Sequence, residues 1–272
     1  MVIIITNIII VGNYAKADKL WSKLLNRLRK KFGDSDPYIL RTMNSLAIAY
    51  NRQGKYSDAE VLLKQCLDKQ KAVLGENHPD TLSTMSNLAV AYDGQDKHSD
   101  AEVLLKQCLA KRKVVLGENH PLTLDTMNNL ALTYDNQGKY RDAEVLLKQC
   151  LDKRKEVLGE NHPDTLDTMN NLAHTYGSQE KYRDAEVLLK QCLDKRKIAL
   201  GENHPDTLMT MSNLAATYYK QDKHRDAEVL YKQCLDKRKV VLGESHPYTI
   251  ATTNSLAKVT SKLQAKIEGK LE

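Results

Sequence analysis

Apolar side chains recur at three- and four-residue steps in two stretches, and the pair of stretches returns every 42 residues. In one copy the first stretch consists of Leu82, Met85, Leu88, Ala89 and Tyr92, and the second consists of Ala101, Leu104, Leu105, Cys108, Leu109, Val115 and Leu116. Such steps place the residues of a stretch on one face of an α-helix. The pattern therefore predicts two amphipathic helices per copy, from about Pro79 to Gln95 and from about His98 to Leu116.

A nearly constant connector joins the copies, and it reads LGENHPDTL from Leu74, Leu158 and Leu200. Its proline suits the first position of a helix, where the missing N–H leaves no bond unmade. Its glycine suits the residue just past a helix end. The connector predicts a helix end followed by a helix start, and its fixed period is typical of a stacked repeat array.

The two ends of the sequence depart from this pattern. Tyr14 and Ala17 lie one period before Tyr56 and Ala59, so the first copy has a second helix without a complete first helix. We predict a partial repeat at 1–36 with its second helix at 13–32, five full repeats at 37–246, and a capping helix at 247–272. The run Val2–Val11 is rich in β-branched residues, which form helices poorly, so its structure stays open.

The charged residues are predicted to lie on solvated helix faces. A Glu precedes a Lys by four residues in every full copy, as in Glu102 and Lys106, which favours an exposed helix pair. Each second helix ends in basic residues such as Lys153, Arg154 and Lys155, near the negative end of the helix dipole. We expect these basic residues to be solvated.

Net charge and hydropathy argue against two classes of partner. The chain has 41 Lys and Arg against 35 Asp and Glu, and the excess is spread along it rather than concentrated as on a nucleic-acid surface. No apolar run reaches the roughly 18 residues of a membrane span. The sequence therefore predicts neither a nucleic-acid nor a membrane partner.

The five cysteines also follow the 42-residue period. Equivalent points on neighbouring helices lie roughly 10 Å apart, whereas the Cα atoms of disulfide partners lie within about 7 Å. Unpaired thiols favour a reducing compartment, which predicts a cytoplasmic protein.

The copies resemble the tetratricopeptide repeat, in the 42-residue variety found in kinesin light chains. The resemblance rests on the motif NLAxxY, followed by DAEVLLKQCL and LGENHP, and NLAxxY begins at Asn87, Asn129, Asn171 and Asn213. It covers almost the whole chain. It implies an all-α, right-handed superhelical solenoid of antiparallel helix pairs, whose first helices line a concave groove. It also implies a non-catalytic protein interaction scaffold that binds an extended peptide or a partner helix in this groove.

Asparagine and serine side chains form two rows beside the apolar stripe of the first helices. The inner row is Asn44, Ser86, Asn128, Asn170, Ser212 and Asn254, and the outer row is Ser45, Asn87, Asn129, Asn171, Asn213 and Ser255. Amides offer a donor and an acceptor, so such a ladder can bind a peptide backbone whatever its sequence. Alternatively, the inner row ties adjacent helices together, since a buried amide must be bonded. We predict peptide contacts at Asn44, Asn87, Asn128, Asn129, Asn170, Asn171 and Asn213, with this alternative open.

Positions that vary between copies are candidates for specificity. Three variable rows read Arg41, Ser83, Asp125, Asp167, Met209 and Ala251; Ile48, Val90, Leu132, His174, Ala216 and Lys258; and Asn51, Asp93, Asp135, Gly177 and Tyr219. Carboxylates occupy the middle copies and basic residues lie toward the ends. Our hypothesis is a peptide with Lys or Arg in its middle, bound by charge-assisted contacts. The charge-assisted contacts would involve Asp93, Asp125, Asp135 and Asp167, and Arg41, His174 and Tyr219 are further candidate contact residues. Unselected drift among duplicated copies would produce the same variation.

The sequence predicts no catalytic, metal or cofactor site and no small-molecule substrate. Zinc ligands must all lie within about 2.3 Å of the ion, and rows that repeat once per copy cannot converge in this way. A Gly-rich phosphate loop and a Ser-His-Asp pattern are both absent from the sequence. His98 and His224 replace tyrosines at the start of a second helix, so we expect them to be packing variants.

Two other functions remain open. The near identity of the copies also resembles the repeat arrays attached to signalling NTPase modules, so the chain could be the sensor region of a longer protein. A nucleic-acid-binding solenoid is the other alternative, and it would show a steep salt dependence.

Overall fold

A computed structural model describes residues 33–269 together with residues 20, 23–25 and 27. The run Val2–Val11 and most of the second helix predicted at 13–32 lie outside the described residues. Between residues 33 and 269 the chain forms eleven helices, α1 (Pro37–Arg52), α2 (Tyr56–Val73), α3 (Pro79–Asp93), α4 (His98–Leu116), α5 (Pro121–Asn136), α6 (Tyr140–Leu158), α7 (Pro163–Ser178), α8 (Tyr182–Leu200), α9 (Pro205–Lys220), α10 (His224–Leu242) and α11 (Pro247–Glu268). Odd-numbered helices are the first helices of the repeats and even-numbered helices are the second.

The connector acts as a helix end and a helix start, as its sequence predicts. Gly117 follows the end of α4 with φ of 94°, a conformation that glycine adopts without strain. His120 then caps α5, because its Nδ1 accepts a hydrogen bond from the backbone N–H of Leu122 at 3.2 Å, and Pro121 begins the helix. The histidine of the connector is therefore an N-cap, which satisfies one of the unpaired N–H groups of the first turn.

The chain divides into two compact units, Met1–Lys139 and Tyr140–Glu272. Within each described unit, every helix packs against the next one in sequence, and consecutive first helices also touch. The short turns make neighbouring helices antiparallel. This arrangement confirms the predicted all-α class of paired helices.

The cysteines lie in the core between helices, as small apolar fillers. Cys108 on α4 is fully buried, and its Sγ lies 3.2 Å from the carbonyl oxygen of Leu82 on α3. Burial raises the pKa of the Cys108 thiol. Such a thiol is protonated and unreactive.

The prediction that the basic helix ends are solvated is wrong for their arginines. Arg112, Arg154, Arg196 and Arg238 are only 1–4% exposed. Arg196 on α8 donates from Nη1 to the carbonyl oxygen of Asp206 at 2.8 Å and to Thr210 Oγ1 at 2.7 Å, both on α9. Its Nη2 donates to the carboxylate of Asp167 on α7. The fork geometry of guanidinium lets one side chain tie three helices together, and these bonds offset the cost of burying its charge.

The Glu and Lys residues form a second link between repeats. Glu102 on α4 accepts from Lys106 at 2.6 Å and from Lys139 at 2.8 Å. Both ammonium groups lie over the ring of Tyr134, with Nζ 5.6 and 5.5 Å from its centroid. These hydrogen bonds lower the pKa of Glu102 to about 2. Glu186 in the second unit has the same arrangement, with Lys190 and Lys223.

Candidate functional site

The inner and outer rows are bonded to each other across neighbouring first helices. Asn87 Nδ2 on α3 donates to Asn44 Oδ1 on α1 at 3.0 Å. In the second unit, Asn213 Nδ2 on α9 donates to Asn170 Oδ1 on α7 at 3.1 Å. Asn129 Nδ2 makes a longer contact, 3.5 Å, to Ser86 Oγ. The ladder therefore ties adjacent first helices together, which is the alternative that the sequence left open.

The two rows differ in their exposure. Among the inner residues, Asn170 is 4% exposed and Asn128 is 8% exposed, so their side chains are largely withdrawn from solvent, whereas Asn44 and Ser212 are half-buried and Asn254 is exposed. The outer residues Asn87, Asn129, Asn171 and Asn213 are all half-buried. The hydrogen bond of Asn213 to Asn170 uses one amide hydrogen, and the carbonyl oxygen and the second hydrogen of such a group can serve a ligand. The outer row is thus the part of the ladder that a peptide can reach.

The carboxylate of Asp93 is engaged inside the first unit. Its Oδ1 lies 2.8 Å from Nδ1 of His98 on α4, and Oδ2 accepts a hydrogen bond from Thr133 on α5. The side chain of Asp93 is 15% exposed. Asp93 therefore cross-links three helices, and His98 is its partner rather than a simple replacement for tyrosine.

The other predicted carboxylates also lie close to the scaffold. Asp167 forms an ion pair with Arg196, although 48% of the Asp167 side chain remains exposed. Asp135 is 7% exposed, and Asp125 is half-buried and contributes to the electrostatic environment of Arg112. These carboxylates present less free negative charge than their number in the sequence implies.

The position occupied by Asp167 faces the buried arginine of the same repeat, and its residue changes along the chain. Arg112 Nη2 donates to Ser83 Oγ at 3.0 Å in the first unit. In the last full repeat Met209 stands at this position, and Arg238 Nη2 lies 3.3 Å from the carbonyl oxygen of Leu208 instead. In these repeats the variable row faces an arginine, whereas the first full repeat has Gln70 at the arginine's position.

The remaining predicted contact residues lie on the exposed side of the first helices. Arg41 on α1 donates from Nε to Asp80 Oδ2 on α3 at 3.0 Å, and 66% of its side chain is exposed. His174 on α7 is exposed. Tyr219, at the end of α9, packs its ring against that of buried His224, with a centroid distance of 5.2 Å.

The first helices of the two units expose different side chains at one position. In the first unit this position holds Ile48, Val90 and Leu132, which are apolar and half-buried. In the second unit it holds His174, Ala216 and Lys258, which are exposed. We use the name first-helix surface for the half-buried and exposed residues of the outer row and of the three variable rows.

The sequence analysis did not identify two groups of side chains that hold the helices in place, the buried arginines and the capping histidines. A signal for the arginines was present, because Arg112, Arg154, Arg196 and Arg238 each precede a threonine by 14 residues, and that threonine accepts their hydrogen bond. The capping histidines likewise stand directly before a helix-starting proline. The arginine signal can be recognised only when the threonine of the next first helix is considered, whereas the histidine bonds a backbone N–H two residues away.

The described residues form neither a metal site nor a membrane span. Nowhere among them do three or more His, Cys, Asp and Glu side chains assemble into a site that could hold a metal ion. None of the helices between residues 37 and 268 is both long and apolar enough to cross a bilayer.

The paired helices, capped at proline and tied together by repeated side-chain contacts, define a helix-pair repeat protein. Residues 39–80, 81–122, 123–164, 165–206 and 207–248 each match the tetratricopeptide repeat family. These ranges make up most of the chain, so the chain belongs to the tetratricopeptide repeat family. The resemblance seen in the sequence is thereby confirmed.

Solved structures show the same fold. A kinesin light chain protein of Podosopora anserina with nearly identical TPR-like repeats is 28% identical, with a TM-score of 0.60, over 76% of this chain and 98% of that one. BtubC (BKLC) from P. vanneervenii is 20% identical, with a TM-score of 0.63, over 88% and 92%. NprR in complex with its cognate peptide NprX is 18% identical, with a TM-score of 0.61, over 92% and 76%. No curated protein sequence matches the chain.

Proposed function

We propose that this chain is a non-catalytic interaction module that binds an extended peptide or a partner helix on its first-helix surface. The observation that carries the proposal is the hydrogen bonding of two outer-row amides, in Asn87 and Asn213. Asn87 and Asn213 each donate one hydrogen bond to the neighbouring helix and remain half-buried rather than enclosed. An amide fixed in this way is pre-organised for a ligand, because its rotamer entropy has already been lost.

Family membership supports this function. Tetratricopeptide repeats typically mediate protein–protein interactions, and a structure of similar fold holds NprR with its cognate peptide NprX. The five cysteines are buried thiols, which supports a reducing compartment such as the cytoplasm.

The charge preference of the ligand is a finer part of the proposal. A peptide with Lys or Arg in its middle would meet Asp125 and Asp135 in the first unit, or Asp167 in the second. Because Asp93 and Asp167 already have partners, each such contact would compete with an internal bond. We therefore expect the preference for basic peptides to be weak, about threefold or less, as for exposed ion pairs.

Asn213→Ala tests the outer row against a matched control, Asn170→Ala. Both changes remove the same hydrogen bond between α9 and α7, but only Asn213 is half-exposed, whereas Asn170 is 4% exposed. Peptides selected from a random library on the wild-type chain should bind Asn213→Ala about tenfold more weakly, since about two hydrogen bonds to the peptide are lost. Binding to Asn170→Ala should change less than about threefold.

Fluorescence anisotropy with the selected peptides measures both affinities, and thermal unfolding checks that the two variants are equally stable. Equal losses of affinity in the two variants would show that the ladder acts only through the scaffold. A library that yields no binding peptide would contradict the proposed function itself.

A further inference from the structure

An open cleft of about 440 Å³ lies in the second unit, between the end of α9 and the second half of α11. Its walls are formed by Tyr219, Ala257, Lys258, Ser261, Lys262 and Ala265. All of these residues except Tyr219 lie beyond residue 248, the last residue matched to the family. The cleft is therefore lined mainly by residues outside the matched repeats.

Helix α11 continues where the other first helices stop, and its added turns supply part of the cleft lining. Helix α9 ends at Lys220, and one period later α11 passes through Lys262 and runs on to Glu268. In the preceding repeats a turn follows, and its lysines, Lys181 and Lys223, reach back to the previous second helix. Ala265 takes this place on α11, so no long side chain closes the cleft.

The lysines of the cleft differ from those of the repeats. Lys181 and Lys223 are held by Glu144 and Glu186 at 2.7 Å. Among the residues that the structure describes, no carboxylate forms an ion pair with Lys220, Lys258 or Lys262, and none lines the cleft. Positive charge is therefore uncompensated on the walls of the cleft.

The other lining groups suit a charged oxygen ligand. Ser261 and Tyr219 bring hydroxyl groups that can donate hydrogen bonds, and the stack on His224 limits the movement of the tyrosine ring. Ala257 and Ala265 leave space beside them. Ammonium and hydroxyl donors around one cavity are the groups that stabilise a carboxylate or a phosphate.

We propose that this cleft binds an oxyanion, a carboxylate or a phosphate, carried by the peptide that occupies the first-helix surface. The inference rests on the proposed function in one respect, that the ligand is a peptide. The anion site itself is formed by α9 and α11 alone. It adds a chemical group that the partner must carry, and it places that group at the C-terminal end of the second unit.

Three short fluorescent peptides distinguish the sources of the oxyanion: one rich in glutamate, one with a phosphoserine, and one of the same length with glutamine and serine. We expect one or both anionic peptides to bind with a Kd below about 1 mM, and the neutral peptide to bind at least about fivefold more weakly. Lys258→Gln with Lys262→Gln should abolish that difference. The same charge change at Lys155 and Lys197, on α6 and α8, should preserve it.

Ser261→Glu offers an independent test, because it places a carboxylate between the two lysines and should block the cleft. Ser261→Gln is its neutral control of equal size. Anionic peptides should bind Ser261→Glu at least about fivefold more weakly than Ser261→Gln.

Several results would overturn the inference. These are equal binding of anionic and neutral peptides, equal losses in the Lys258/Lys262 and Lys155/Lys197 variants, or binding of single-stranded RNA at the cleft without binding of either anionic peptide. In the first two cases the proposed function would still stand if the library peptides bind Asn213→Ala more weakly than the wild type. The two ideas can therefore fail separately.

Discussion

The unit that ends at Lys139 and the unit that begins at Tyr140 share their internal contacts but differ in what their first helices expose. Both contain an arginine that joins successive repeats, Arg112 and Arg196, and both contain a glutamate held by two lysines. The exposed side chains change from Ile48, Val90 and Leu132 to His174, Ala216 and Lys258. The comparison separates the residues that hold repeats together from those that differ between the two units and could contact a partner.

The largest expected effect is on the buried arginine that both units share. Arg196→Met should lower the free energy of unfolding by about 3 kcal/mol, because the change leaves Thr210, the carbonyl of Asp206 and the Asp167 carboxylate without their donor. Arg112→Met should have an effect of similar size in the first unit. Urea unfolding of the two variants measures both.

Arg183→Met is the control, since Arg183 is an exposed arginine at the start of α8. It should change stability by less than about 0.5 kcal/mol. If Arg196→Met costs no more than this control, the buried guanidinium is not a link between repeats. If Arg112→Met and Arg196→Met differ widely, the two units do not share one scaffold.

A smaller effect is expected at the glutamates, and it depends on pH. The pKa of Glu102 is about 2, below its ordinary value of 4.5. Its stabilising contribution is therefore present above the ordinary pKa and is lost as the pH falls through about 2. Glu102→Gln should cost about 1 to 2 kcal/mol near neutral pH and little at about pH 2.

Glu186→Gln should repeat this behaviour in the second unit, where the pKa of Glu186 is also about 2. Urea unfolding of the wild type and the two variants across the acid range gives the two differences. A cost that does not change with pH would mean that the loss comes from packing rather than from the ion pairs.

The sequence predicts the helices well because the signals for them are local. The start of α3 at Pro79 and both ends of α4, at His98 and Leu116, agree with the prediction, whereas α3 ends at Asp93 rather than near Gln95. Apolar period, proline and glycine all act within one or two turns of helix. The fold class followed from these signals and from their repetition.

The site was only partly predictable, because its contacts join residues far apart in sequence. The sequence located the asparagine rows and the variable rows, but it could not show that Asp93 is used by Thr133, which is 40 residues away. A basic triplet at a helix end looks solvated, and only tertiary packing buries its arginine. The charge that a surface offers to a ligand can be counted only after the side chains paired inside the protein are subtracted.

The smallest expected effect is at Asp93, where the two units differ. Asp93→Asn keeps the shape of the side chain but removes the charge that His98 and Thr133 share, so stability should fall by about 1 kcal/mol. The equivalent residues in the second unit are Gly177 and Tyr219, and Tyr219 contacts His224 through a tilted ring pair. Tyr219→Phe preserves that ring pair and should change stability by less than about 0.5 kcal/mol. Equal losses in the two variants, measured by thermal unfolding, would mean that Asp93 acts through packing alone, and its carboxylate would then be available to a basic ligand after all.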